Sequence, residues 1–333
     1  MRSSKNLAWR PQGIHSRTVA DLDRAVRASL HRLPSDLGLV VGIPRSGMLP
    51  AGLIASYLNL PLADLSGLLG GHSGASGYRH IEADSTNKNG ILIVDDSIAT
   101  GNEMRRVKTQ IAGAQVGSRK IYYLAVFGGS DAHELCDIVL ERVPFPRIFS
   151  WNAVNSWVVQ VACVDIDGLL CPDPSIEEND DGPAYLDFLR NAPALYSCRY
   201  KIKHLVTSRL EKYRLTTEDW LARKGIEFEN LHMVDLPTAK ARSQKGPQFH
   251  ALQKAEVYKS LSETRLFLES AKWQAELIAK YSGKPALSME NGLFYHPDKK
   301  SIRNAQIEYY RKYPRALAGL IVKRLAAKIQ KAR

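Results

Sequence analysis

The sequence is poor in the features that would place it outside the ordinary globular class. Its 333 residues hold only four cysteines, Cys136, Cys163, Cys171 and Cys198, and none stands in a CxxC pair. That spacing argues against a zinc site or a disulfide framework, and free thiols in a reducing cytoplasm are the plain reading. No apolar run reaches the roughly 18 residues that a membrane-spanning helix needs. The opening stretch MRSSKNLAWRPQG lacks the apolar segment of a secretory signal. A cytoplasmic protein without a membrane span is expected. Internal repeats and low-complexity tracts are also missing. With 44% hydrophobic and 24% charged residues, disordered, collagenous and coiled-coil classes are excluded. The length suits two domains, each able to bury its own core. One figure is unusual: a formal charge of +12 raises nucleic acid, phosphate or an anionic membrane surface as partners.

Apolar runs of strand length alternate with helical patterns, the mark of α/β architecture. Strands are predicted at 37–43, 90–96 and 120–127, with helices at 49–58 and from about 101 to 112. After the Pro-containing stretch 143–152 the pattern restarts with a strand in WVVQVACVDIDG (157–168). Strands at 204–208, 231–236, 265–270 and 285–289 then alternate with helices at 212–224, 248–262 and 272–281. Two tandem three-layer α/β domains with mainly parallel sheets are expected, over 1–150 and 157–298. Residues 66–90 interrupt the rhythm with six glycines and few core residues. A loop of that length in a compact domain is either disordered or a mobile active-site element, and Arg79, His80 and Lys88 favour the second.

Ile91–Val94 drives a buried strand that ends in Asp95 and Asp96, followed by Ser97-Ile98-Ala99-Thr100-Gly101 and a helix. Backbone N–H groups of such a turn, at the positive end of a helix dipole, suit a phosphate. Ser97 and Thr100 add hydroxyl donors, and two adjacent carboxylates suit the vicinal hydroxyls of a ribose. Ligands bind such sheets outside the carboxyl ends of the strands. The stretch 95–101 resembles the phosphoribosyl-pyrophosphate (PRPP) loop of the type I phosphoribosyltransferases. Pro44-Arg45-Ser46-Gly47, about fifty residues earlier, looks like the pyrophosphate loop of the same family. An always-charged forked donor such as Arg45 is matched to pyrophosphate. By this resemblance, which covers about residues 15–150, 66–90 is the lid, with Arg79 meeting the pyrophosphate and Lys88 second. Closing a lid excludes water from the ribosyl centre, and Mg²⁺ would bridge pyrophosphate and ribose oxygens. The acceptor, a nucleobase-like molecule, is not specified. Ser150-Trp151-Asn152 offers either a stacking ring or packing at a domain junction.

A second apolar strand ends in Asp165-Ile166-Asp167-Gly168, where alternation would put both carboxylates on one side. A nucleophilic carboxylate beside an acid/base carboxyl suits phosphoryl transfer. A calcium loop is set aside because LLCP follows Gly168 where further oxygen ligands would be needed. The stretch resembles the first motif of the haloacid-dehalogenase (HAD) hydrolases, which implies Asp165 as nucleophile and Asp167 as general acid/base. The resemblance extends to Thr207 as a phosphoryl-binding residue and to Lys254, with Lys259 the alternative, as the phosphate-neutralising lysine. Glu269-Ser270 stands at the acidic magnesium motif, where the family usually carries two acids. Asp165, the backbone carbonyl of Asp167, and Glu269 are the implied Mg²⁺ ligands. The stretch 179–185, NDDGPAY, belongs to a small cap that leaves the site open to a phosphate ester such as a nucleotide or sugar phosphate.

Residues 299–333 hold 11 Lys and Arg against the single acid Glu308, so nearly all of the +12 belongs to this segment. Leu317, Ile321, Leu325 and Ile329 recur at helical spacing. The segment reads either as a basic helical tail for nucleic acid or an anionic surface, or as a solvated face packed on the protein or on a second copy in a homo-oligomer. The whole reads as a PRPP-using phosphoribosyltransferase fused to a magnesium-dependent HAD-type phosphatase. The alternative is a PRPP-binding regulatory module with a weakened HAD domain.

Overall fold

β-Branched stretches form the centres of two mainly parallel sheets in the computed structural model of the chain. Residues 14–71, 74–75, 88–114 and 117–297 are described, so Arg79, His80 and the basic segment 299–333 lie outside them. The chain divides into a unit of Ile14–Ile148 and a second whose described part begins at Phe149.

The first unit begins with β1 (His15–Arg17) and α1 (Val19–Ser29), the latter started by a capping box between Thr18 and Asp21. Then follow β2 (Leu37–Gly42), α2 (Met48–Leu58), β3 (Leu62–Asp64), α3 (Leu65–Leu69), β4 (Gly90–Ile98), α4 (Asn102–Ala112), β5 (Lys120–Gly128), β6 (Ile138–Arg142) and β7 (Arg147–Phe149). Five strands pair in parallel in the order β3-β2-β4-β5-β6. Leu39, Val41, Ile91 and Ile93 present one face of the sheet to Leu65 and Leu68 of α3 and to Met104, Val107 and Ile111 of α4. The 3- and 4-residue spacing of that α4 triplet is what makes the segment an amphipathic helix. α2 packs against β2 and β4.

In the second unit, β8 (Ala162–Val164), α5 (Pro183–Asn191), β9 (Ile202–Leu210), α6 (Arg214–Arg223), β10 (Phe228–Val234), α7 (Ala239–Ser243), α8 (Phe249–Ser260), β11 (Leu266–Glu269), α9 (Lys272–Ser282), β12 (Ala286–Ser288) and β13 (Phe294–Tyr295) follow in order. The sheet order is β10-β9-β8-β11-β12-β13, parallel except for the last, antiparallel pair. Cys163, Val206, Phe267 and Ala286 meet Ala251, Ala255 and Tyr258 of α8 and Ala275, Ile278 and Ala279 of α9.

Three departures from the sequence pattern stand out. Trp157–Val161, read as the start of a strand, is a short 3-10 helix in which Ser156 Oγ accepts from Val158 N–H. An unbroken apolar run has no period of its own, so either form buries Val158 and Val159. β3 and β6 have mixed, half-buried sequences and were not expected as strands. The expected loop from residue 66 starts inside α3, which Asp64 caps by accepting from Gly67 N–H at 2.6 Å. All four cysteines are free thiols, and burial pushes those of Cys136 and Cys163 up to about 12. No helix among the described residues is long and apolar enough to cross a membrane.

Candidate active sites

In the first unit the carboxyl ends of β2 and β4 lie side by side, with Gly42 opposite Val94. The chain leaves β2 through Ile43–Gly47 into α2. β4 does not stop at its acids, because Ser97 and Ile98 stay in the sheet opposite Phe127 and Gly128. The turn expected over 97–101 is therefore shortened to Ala99, Thr100 and Gly101. Ile98 is buried in the core, and its carbonyl accepts from Arg147. Gly47 is required by close approach: a Cβ there would lie 2.6 Å from the carbonyl oxygens of both Ile43 and Val94. That approach lets Ser46 Oγ donate to Asp96 Oδ1 at 3.0 Å, joining the two loops. The Pro44–Arg45 peptide is cis, and both residues are exposed, as are Ala99 and Thr100. Gly101 enters α4 at φ +75°, and neither α2 nor α4 has a side-chain cap. The first N–H groups of α2, at Met48 and Leu49, donate to the Arg45 and Ser46 carbonyls at 3.2 and 3.1 Å, and that of α4, at Asn102, donates to Thr100 Oγ1 at 3.4 Å.

Asp95 and Asp96 are buried. Burial, with the Asp96 charge next to it, pushes the Asp95 carboxyl well above its ordinary range. Lys88 precedes β4 and so lies at its other end. Its carbonyl lies against Gly38 near the start of β2, where a Cβ would come within 2.4 Å of it.

In the second unit β8 ends at Val164, one residue short of Asp165. Strand alternation therefore does not govern the two acids as expected; each is instead met by its own cation. Lys254 Nζ of α8 donates to Asp165 Oδ2 at 2.7 Å and to Glu269 Oε2 at 2.9 Å, all three side chains being buried. Ser270 Oγ donates to Glu269 Oε1 at 3.1 Å and lies 3.4 Å from Asp165 Oδ2. Burial and then the Glu269 charge raise Asp165 well above the usual carboxylate range, with Lys254 opposing. Asp167 pairs with Arg209, whose Nε and Nη2 donate at 3.1 and 2.6 Å. Burial alone would raise Asp167, but the guanidinium outweighs it and holds the carboxyl below its ordinary value. Thr207 is fully buried on β9, and its Oγ1 accepts from Arg209 N–H at 3.2 Å. Asp165 and Glu269 are hard-oxygen donors of the kind that Mg²⁺ takes, and Lys254 Nζ already donates to both. No group of three or more His, Cys, Asp or Glu side chains able to hold a metal ion occurs among the described residues.

The 179–185 stretch is tied down on both sides. Asp180 accepts from Gly182 and Tyr185 N–H at the start of α5, and Asp181 accepts from Tyr213 Oη and Ala239 N–H at 2.9 and 2.8 Å.

No protein-family model matches the chain. A xanthine-guanine phosphoribosyltransferase of Chromohalobacter salexigens is 32% identical over 124 residues, 37% of this chain and 72% of that protein. The chain belongs to the phosphoribosyltransferase family. A solved purine phosphoribosyltransferase of Pyrococcus horikoshii Ot3 aligns with 42% of this chain and 94% of its own, at 19% identity and a TM-score of 0.31. A chain from a Pnkp1/Rnl/Hen1 complex aligns with 86% of this chain and 89% of its own, at 14% identity and a TM-score of 0.27. At such scores neither structural likeness bears on function.

Two residues of this phosphoribosyltransferase-family chain escaped the sequence reading. Arg147 is buried; its Nη1 donates to Val143 O at 3.0 Å, and its Nη2 bonds Ile98 O just beyond the acids. Burial lowers its pKa while the charges of Asp96 and Asp95 oppose that shift. Its only sequence signal is a lone Arg inside the apolar run VPFPRIF. Arg209 is more legible in retrospect, since it stands two residues after Thr207 and so shares its face of β9. Its Nη1 also donates to Thr217 Oγ1 at 3.4 Å, and its guanidinium lies 5.8 Å from the Trp220 ring.

Proposed function

We propose that the first unit transfers phosphoribose from PRPP to a purine-like base, and that the second is a magnesium-dependent HAD-type phosphatase. What carries the first half is the Ser46–Asp96 hydrogen bond. It joins the proposed pyrophosphate loop 44–47 to the acid pair and the 99–101 turn, at the starts of α2 and α4. A base nitrogen would attack C1 of PRPP as the C1–O bond breaks and pyrophosphate leaves, the proton of that nitrogen passing to solvent. Arg45 and the N–H groups of 45–47 would hold the pyrophosphate, and Asp95 and Asp96 the ribose hydroxyls. Arg79 is proposed to close over it. The purine preference is drawn from the name of the curated relative.

For the second half, Asp165 would attack phosphorus while the ester P–O bond breaks and protonated Asp167 gives its proton to the leaving oxygen. Water would then attack the aspartyl phosphate, return a proton to Asp167 and release phosphate. Arg209 favours ionised Asp167, so it aids the second step and slows the first. Lys254 and Thr207 would bind the phosphoryl oxygens. Asp165, Glu269 and the Asp167 carbonyl would hold Mg²⁺, whose charge would offset that of the phosphoryl group. Ser270 in place of a second acid, with Lys254 already on both carboxylates, favours as a second reading a PRPP-binding regulator with a weakened phosphatase.

The test is to incubate the full chain with Mg²⁺, PRPP and a panel of bases, and to follow pyrophosphate and phosphate separately. Purines should support pyrophosphate release, and Asp165→Asn should cut phosphate release at least about 10³-fold while leaving pyrophosphate release intact. If no base supports pyrophosphate release, the transferase reading falls. Phosphate release that survives Asp165→Asn removes Asp165 as nucleophile.

A further inference from the structure

A cavity of about 550 Å³ opens beside the acids of the second unit, within the range of about 300–1,000 Å³ typical of small-molecule sites. Two of its lining residues tie it to the reaction centre. Gly168 follows Asp167, and Ser270 Oγ lies 3.4 Å from Asp165 Oδ2. Gly168, at φ +72°, keeps this mouth open, since a Cβ there would lie 2.7 Å from Asp173 Oδ2 and 2.8 Å from Ser270 Cβ.

The rest of the lining is of two kinds. The ring of Tyr196 and the thioether of Met289, both half-buried, offer flat and polarizable apolar surface. Asp173 and Glu290 supply carboxylates, and Glu290 is fixed by accepting from Lys272 N–H at 2.7 Å. Among the described residues that line the cavity there is no lysine or arginine. A leaving group with an additional phosphate would meet two acids and no cation. A neutral one with hydroxyls would find acceptors for them, and an aromatic ring to stack on.

We propose that this cavity holds the leaving group of the second unit's substrate and selects a nucleoside monophosphate over nucleotides that carry further phosphates. The proposal rests on the phosphatase reading, and its failure is separable from the failure of that reading.

The measurement is steady-state phosphate release by the full chain with Mg²⁺ from three substrates: a nucleoside 5′-monophosphate, the corresponding 3′,5′-bisphosphate, and acetyl phosphate, which has no ring. The monophosphate should exceed the bisphosphate in kcat/KM by about tenfold or more. Tyr196→Ala should lower the ratio of nucleoside monophosphate to acetyl phosphate kcat/KM by about tenfold, the size of one lost base–aromatic stack. Tyr196→Phe should restore that ratio. The free nucleoside should inhibit acetyl phosphate turnover, with an inhibition constant about tenfold weaker in Tyr196→Ala. Equal rates on mono- and bisphosphate, or a ratio unmoved by Tyr196→Ala, overturn the proposal while the phosphatase stands. Absence of phosphate release from all three substrates removes the phosphatase and this proposal with it.

Discussion

Asp95 and Asp96 in the first unit are adjacent acids whose charges push against each other, with a serine hydroxyl donating to one of them. In the second unit Asp165 and Glu269 share the ammonium of Lys254, and Asp167 is paired with Arg209. The difference bears on what each site needs. A like-charge pair gains from a ligand that brings hydroxyls or a cation, so PRPP with its metal would relieve the first unit. In the second each acid accepts from a cation, Asp165 and Glu269 from Lys254 and Asp167 from Arg209. A metal there competes with an ammonium already in place. The first pair gains from the hydroxyls or cation that a ligand brings, whereas the acids of the second already have theirs.

The largest effect expected from breaking this contrast is on stability. Lys254→Met would leave Asp165 and Glu269 buried without their cation, at a cost of about 3–5 kcal/mol. Four of the five tryptophans, Trp151, Trp157, Trp220 and Trp273, lie in the described part of the second unit, so the urea transition followed by tryptophan fluorescence reports mainly on it. Its midpoint should fall sharply, and an unchanged midpoint would show that the acids do not depend on Lys254. Next in size is Gly47→Ala, which puts a methyl group 2.6 Å from two carbonyl oxygens. The 44–47 turn must shift and Ser46 leaves Asp96, so PRPP-dependent pyrophosphate release should fall about a hundredfold. The tryptophan-monitored transition should not move. Retained turnover would mean that the Ser46–Asp96 contact does not organise the site.

The two units also differ in how far the chain could be read in advance. The α/β rhythm and the parallel sheets were legible because strands buried on both faces are continuous apolar runs. The same property misled at Trp157–Val161, where an apolar run without alternation folds as a 3-10 turn. The meeting of Asp165, Lys254 and Glu269 had no local signal. Asp165 and Lys254 are 89 residues apart, and only family resemblance suggested them together. Arg147 and Arg209 were missed for a physical reason: arginine is read by default as a surface residue. Whether one is buried depends on a carboxylate or carbonyls supplied from elsewhere in the fold. Lys88, expected as the second lid residue, precedes β4 and so starts from the end of that strand away from Asp95.

The smallest effect tests the contrast from the other side. A carboxyl whose folded pKa is raised binds its proton more tightly in the folded unit than in the unfolded chain. Between the ordinary Asp range and the raised value the folded form carries more protons, so stability falls as pH rises through that window. At neutral pH the Asp95 charge is thus a cost to the first unit, set by burial and by Asp96. Asp95→Asn removes the charge and keeps an oxygen to accept from Asp96 N–H, a bond of 2.9 Å in the native chain. The melting transition of the first unit, recognised as the one that Lys254→Met leaves in place, should rise by about 3 °C at pH 7. The gain should shrink as pH falls through the raised value and vanish below the ordinary Asp range, where the native carboxyl is protonated in both states. PRPP-dependent pyrophosphate release should fall at the same time, because the ribose loses an acceptor. Neutralising one charged residue would then stabilise the first unit and, at Lys254, destabilise the second. A melting point lowered at every pH would show instead that Asp95 has a stabilising partner, and that the two acid sites are built alike.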